Sequence, residues 1–119
     1  MTHILLLEDT KDMRDAIHDA LIMNGHKVAT GHDGQAGLAY LNSEDPLPDL
    51  IITDLKMPEI DGLAFMRHVR QHPGWADMRI IATSGVPGDE QKAVAAGADA
   101  FIVKPFKHSS LEHLIQQLL

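Results

Sequence analysis

The sequence predicts a single α/β domain built on a doubly wound five-stranded parallel sheet, and two observations carry that expectation. Short aliphatic and β-branched runs alternate five times with longer stretches of helical periodicity. The short runs are nearly continuous in apolar residues, the pattern of strands buried on both faces of a parallel sheet. Right-handed crossovers between such strands place helices on both sides. No repeat, linker or low-complexity segment interrupts the alternation, so residues 1–119 are assigned to one domain.

The elements follow in order. Strands are expected over residues 4–7, 27–30, 50–53, 80–83 and 101–103. The first helix is expected over residues 10–24, with Met13, Ala16, Ile17, Ala20 and Leu21 on one face and Gly25 at its C-terminal cap. The second, over 33–42, turns Ala36, Leu38, Ala39 and Leu41 inward. A third spans 62–71, with Leu63, Met66 and Val69 at helical spacing, Phe65 flanking that stripe, and Pro73-Gly74 beyond its end. The fourth is brief, 87–96, closed by Gly97. The last, 109–119, carries Leu111, Leu114, Ile115 and Leu118, a stripe suited to packing on the sheet rather than to holding a partner helix.

Composition narrows the class. A chain of 119 residues buries about two-thirds of its unfolded surface on folding, enough for one core without staples. With no cysteine, neither a disulfide framework nor a thiolate metal site is available, which fits a cytoplasmic location. The start, "MTHILLLEDT", lacks the basic residues and long apolar stretch of a secretory signal, and no segment approaches transmembrane length. A net charge of −7, with no basic block against it, argues against direct nucleic-acid binding.

The stretch "IITDLKMP" at 51–58 poses the functional question. A carboxylate at the end of a buried strand costs several kcal/mol unless something compensates it. Ligands of an open parallel sheet bind beyond the carboxyl ends of its strands. There the sequence places Glu8 and Asp9, Asp54, Ser84 and Lys104, after the first, third, fourth and fifth strands. Taken singly, each has a plain structural explanation as a helix cap, a turn or a loop residue. Together, three carboxylates on one rim repel one another and call for a cation. Hard oxygen ligands suit Mg²⁺, with Mn²⁺ as a substitute. Lys104 is suited to phosphate, and Ser84 offers a hydroxyl donor. The set reads as a carboxylate phosphorylation site, with Asp54 the nucleophile and the metal and Lys104 neutralising the incoming group.

These residues carry a resemblance over essentially the whole chain. "LLLED" at 5–9, "DLKMPEIDG" at 54–62, "IIATSG" at 80–85 and "GADAFIVKPF" at 97–106, in this order, resemble a response-regulator (CheY-like) receiver domain of two-component signalling. The resemblance implies a (βα)5 flavodoxin-like fold and a switch that changes its surface on phosphorylation. It makes Asp54 the phosphoacceptor, and Glu8 and Asp9 metal ligands with the Lys56 carbonyl. Ser84 becomes the switch hydroxyl, Phe101 the switch aromatic and Lys104 the phosphate contact. A cis peptide before Pro105 is implied as well. So are a phosphodonor, either a sensor histidine kinase or a histidine phosphotransfer protein, and a downstream target or output domain. No output domain follows the fifth helix within this sequence.

The chain departs from the family pattern in three places. Thr83 and Ser84 are adjacent hydroxyls; Ser84 is preferred because Gly85 stands where the family has a small residue, and Thr83 is the alternative. Glu8 replaces the commoner aspartate and reaches further. The fourth helix is shorter than usual. Two other readings compete. His68 and His72 have chelating spacing, but two exposed helix residues is the preferred account. A phosphatase of the haloacid dehalogenase type also uses a strand-end aspartate. It wants a second aspartate where this chain has Lys56, and a cap for which there is no room. The resemblance implies instead a switch that catalyses its own phosphorylation and dephosphorylation, not a turnover enzyme.

Overall fold

The computed structural model describes residues 2–43 and 46–119. In chain order the elements are β1 (His3–Leu7), α1 (Lys11–Met23), β2 (Lys27–Gly31), α2 (Gly34–Ser43), β3 (Leu50–Asp54), α3 (Gly62–Gln71) and β4 (Arg79–Ser84). A 3₁₀ turn (Pro87–Asp89) then runs into α4 (Glu90–Ala96), followed by β5 (Ala100–Val103) and α5 (His108–Leu118). The strands form one sheet in the order β2-β1-β3-β4-β5, every pair parallel. The expected doubly wound architecture is therefore present. Its switch point lies between β1 and β3, where the chain builds outward in both directions.

Continuous apolar strands are explained by two cores. Side chains alternate across a strand, so Leu5, Leu7, Ile51, Ile80 and Ala82 face one side, against Leu41, Phe65, Met66, Val69, Ala93 and Ala96 of α2, α3 and α4. Ile4, Leu6, Leu50, Ile52 and Ile81 face the other, against Ile17 and Leu21 of α1 and Leu111 and Ile115 of α5. The C-terminal stripe thus packs on the sheet, as expected. Among the described residues no helix is long and apolar enough to cross a membrane.

The structure corrects several helix faces. Phe65, beside the α3 stripe as expected, is fully buried in the first core with Met66 and Val69, whereas Leu63 of the stripe is only partly buried. Ala16 and Ala39 are exposed. The inner face of α2 is instead Gly34, Gly37 and Leu41. A Cβ at Gly37 would lie 2.6 Å from Leu7 Cδ1 and 2.8 Å from Phe65 Cε1, so the helix backbone itself packs on the core there. Hydrophobic periodicity does not register a residue without a side chain. The fourth helical stretch keeps its expected limits, but its first three residues are a 3₁₀ turn, and Gly97 closes it at φ +115°.

One polar cluster around buried His26 ties α5 to the start of β2. His26 Nε2 lies 2.9 and 3.0 Å from the two carboxylate oxygens of Glu112, which also accept from Asn24 and Gln116. Burial by itself would raise the Glu112 carboxyl, but the hydrogen bonds from Gln116, His26 and Asn24 outweigh it. The pKa falls below the ordinary 4.5. A depressed carboxylate pKa contributes stability above its unfolded value and loses it as pH falls through the folded one. Glu112→Gln should therefore lower the melting temperature near neutral pH. That difference should shrink as pH drops below about 4.5. A pH-independent gap would remove the carboxylate as its source.

Candidate functional site

The carboxyl ends of β1 and β3 flank the switch point, and a side chain from the end of β5 reaches them there. Beyond β1, Glu8 is anchored by its N–H to the Gly31 carbonyl at 3.0 Å, and its own carbonyl accepts from Arg14 Nη1 at 2.9 Å. Its carboxylate takes the Thr10 N–H at 3.1 Å and is almost wholly buried, while Asp9 beside it is exposed. Asp54 closes β3 and is 7% exposed. Gly62 packs so tightly beneath that a Cβ there would overlap the Asp54 carbonyl oxygen. One carboxylate oxygen each from Glu8, Asp9 and Asp54 lies within 4.8 Å of the others, the one such cluster of potential metal ligands among the described residues.

Lys104 enters from the other side. Its N–H donates to the Ser84 carbonyl at 2.8 Å, continuing the β4–β5 ladder, and its bond to Pro105 is cis, in line with the expectation. The ammonium reaches Glu8 Oε1 at 2.5 Å and Asp54 Oδ2 at 3.0 Å. Burial opposes the charge on Lys104, but the hydrogen bonds to Glu8 and Asp54 prevail and raise its pKa. Glu8 moves up for a different reason. Burial is the largest influence, the Asp54 charge adds to it, and the Lys104 and Thr10 contacts offset it only in part. One ammonium thus faces three carboxylates. The remaining negative charge and the all-oxygen donor set suit a hard divalent cation.

The β4 hydroxyls are placed differently. Thr83 stands beside Asp54 in the strand register. Ser84, one residue on, shares a sheet face with Ala82 and the first core. The structure does not aim Ser84 at Asp54. Its hydroxyl donates to Asp89 Oδ2 at 2.7 Å, and its oxygen accepts the Val86 N–H at 3.0 Å. Phe101 pairs with Ala82 across β4–β5 and is half-buried at the edge of the first core, on the face that Ser84 shares. Lys56 lies on the loop after Asp54 with its side chain exposed. So Glu8, Asp9, Asp54 and Lys104 come together, while Ser84 and Phe101 lie one step away.

Sequence reasoning missed Arg14 and Asp89. Arg14 lies six residues after Glu8, and only the β1–α1 connection folds its guanidinium back onto the Glu8 carbonyl. Asp89 reads as an ordinary turn residue after Pro87-Gly88. The histidine pair also needs correcting. His72 is not an exposed helix residue: it follows the end of α3 and stacks on the buried Trp75, ring centroids 3.7 Å apart. Its Nδ1 accepts the Gly74 N–H, because the Pro73-Gly74 turn folds Trp75 back onto the ring.

Comparison with known proteins accords with this geometry. A family model described as the response regulator receiver domain matches residues 4–116. The chemotaxis protein CheY of Bacillus subtilis is 32% identical over 120 residues, covering 100% of this chain and 99% of that protein. The chain spans about half the length (43–52%) of the curated transcriptional regulators it matches. Among solved structures, the chemotaxis response regulator CheY4 of Vibrio cholerae superposes with a TM-score of 0.91 at 29% identity, covering 100% of this chain and 99% of that one. The receiver domain of a sensor histidine kinase from Pseudomonas aeruginosa gives a TM-score of 0.89 at 27% identity, covering 98% and 96%. It was solved with a magnesium ion coordinated in its active-site cleft.

Proposed function

This chain belongs to the response regulator receiver domain family, whose members are phosphorylation-dependent signalling switches rather than substrate-turning enzymes, and we propose that Asp54 is its phosphoacceptor. The observation that carries this reading is the Lys104 ammonium, held between buried Glu8 and Asp54 with Asp9 beside them. The receiver unit is taken as residues 1–119, working in the cytoplasm. Receiver domains are phosphorylated by sensor histidine kinases; for this chain, such a kinase or a histidine phosphotransfer protein is the proposed donor, and an output domain or separate target the proposed recipient.

The chemistry follows from the donor set. Glu8, Asp9 and Asp54, with the Lys56 carbonyl, would hold Mg²⁺, or Mn²⁺ in its place. Bound there, the ion supplies charge neutralisation for the phosphoryl oxygens. An Asp54 carboxylate oxygen attacks phosphorus, and the donor's leaving oxygen or nitrogen departs with the bonding pair. Lys104, already at Asp54, stabilises the charge that develops on the transferred group. Ser84 turns its hydroxyl towards the phosphoryl group and Phe101 moves inward behind it, altering the face made by α4, β5 and α5. Self-catalysed phosphorylation from a small donor, and hydrolysis of the product, use the same residues.

The experiment is incubation with acetyl phosphate and Mg²⁺, read by intact mass. One added phosphoryl group is expected, and none when the metal is chelated. Labelling that ignores chelation would overturn the metal's part. Because the metal-free site crowds three carboxylates, millimolar Mg²⁺ should also raise the melting temperature by binding the folded state. Asp9→Asn should weaken that response, while a wild type that melts identically with and without Mg²⁺ would count against the ligand set.

A further inference from the structure

We propose that Asp89 is a positioning residue for the switch: it holds the Ser84 hydroxyl away from the phosphorylation site and thereby sets how readily the phosphorylated arrangement forms. The inference rests on the reading of Asp54 as acceptor, and it concerns a residue outside that site. Ser84 is buried, and both sides of its hydroxyl are committed to the β4–α4 turn. It donates to Asp89 Oδ2 at 2.7 Å and accepts from the Val86 N–H at 3.0 Å.

A serine hydroxyl has one proton to donate. To reach a phosphoryl oxygen, that proton must leave Asp89. The exchange is between two anionic acceptors, so the Asp89 bond is of the strong, charge-assisted kind and competes directly with the phosphoryl group. Asp89 is itself braced. Its N–H donates to the Val86 carbonyl at 3.0 Å, and Lys92 Nζ lies 3.9 Å from its other carboxylate oxygen. With its side chain only 14% exposed, Asp89 is poorly placed to trade Ser84 for water.

The exchange has a structural consequence. Release of Ser84 also frees the Val86 N–H and Asp89, the two groups that lock the 3₁₀ turn (Pro87–Asp89) onto the end of β4. The turn is continuous with α4. Breaking these two hydrogen bonds at Ser84 therefore loosens the start of the helix, a direct mechanical link from the site to the α4 face.

The test is the affinity of beryllofluoride, a phosphoryl mimic, in saturating Mg²⁺. It is measured for wild type, Asp89→Ala, Ser84→Ala and the double variant. Asp89→Ala should bind about tenfold tighter than wild type, since a competing charge-assisted bond is gone. In the Ser84→Ala background the same substitution should change nothing, an outcome that a merely structural role for Asp89 would not produce. Asp89→Asn, which keeps the shape but loses the charge, should fall between. Unchanged affinity in Asp89→Ala, or a gain that persists without Ser84, overturns the proposal alone. A wild type that takes up no beryllofluoride overturns the reading of Asp54, and this proposal with it.

Discussion

Asp54→Asn is expected to abolish phosphorylation completely while leaving the fold intact. Asparagine has the shape of aspartate but an amide in place of the nucleophilic carboxylate, so no acyl phosphate forms. The fold should persist because Lys104 keeps its contact with Glu8 at 2.5 Å, and the Thr53 hydroxyl still donates to the backbone carbonyl of residue 54 at 2.9 Å. Losing one charge also relieves repulsion with Glu8 and Asp9. Intact mass after treatment with acetyl phosphate and Mg²⁺ should show the added group in wild type and none in the variant, with cooperative melting in both. Equal labelling of the two proteins would move the acceptor to another residue.

Phe65→Ala is expected to give the largest loss of stability, about 3–5 kcal/mol. Phe65 is fully buried, its ring edge lies against Gly37, and it packs within the core formed by α2, α3 and α4. Truncation removes its transfer free energy and leaves a cavity that a helix backbone cannot easily collapse into. At roughly 0.05–0.15 kcal/mol per residue of total stability, that is a substantial fraction of what holds this domain together. Denaturant unfolding should show a much lower midpoint at similar slope. Phe65→Leu should recover much of it. An unfolding free energy within about 1 kcal/mol of wild type, in the range of a tolerated volume-conserving swap, would mean α2 and α3 repack over the gap.

Much of this was legible in the residues, and the misses have a common cause. The "LLLED" and "IITDLKMP" stretches announced β1, β3 and the carboxylates beyond them, because a two-face-buried strand has no other composition. Phe65 sits beside the stripe of Leu63, Met66 and Val69, and periodicity does not report that it is buried more deeply than Leu63. The third dimension turns that side of α3 towards the glycines of α2. His72 was misread because nothing local to it reports the return of Trp75.

By itself, the sequence determined that the chain alternates strand and helix and that Glu8, Asp9, Asp54 and Lys104 share one rim. In a parallel sheet every strand ends on the same edge, so residues that close strands need no further information to meet. Tertiary structure alone decided how they and their neighbours are paired. Lys104 bridges Glu8 and Asp54, Ser84 gives its proton to Asp89, and α2 presents glycines to the core. These outcomes depend on which acceptor lies within about 3 Å of a donor and which backbone can approach another, distances that no periodicity encodes.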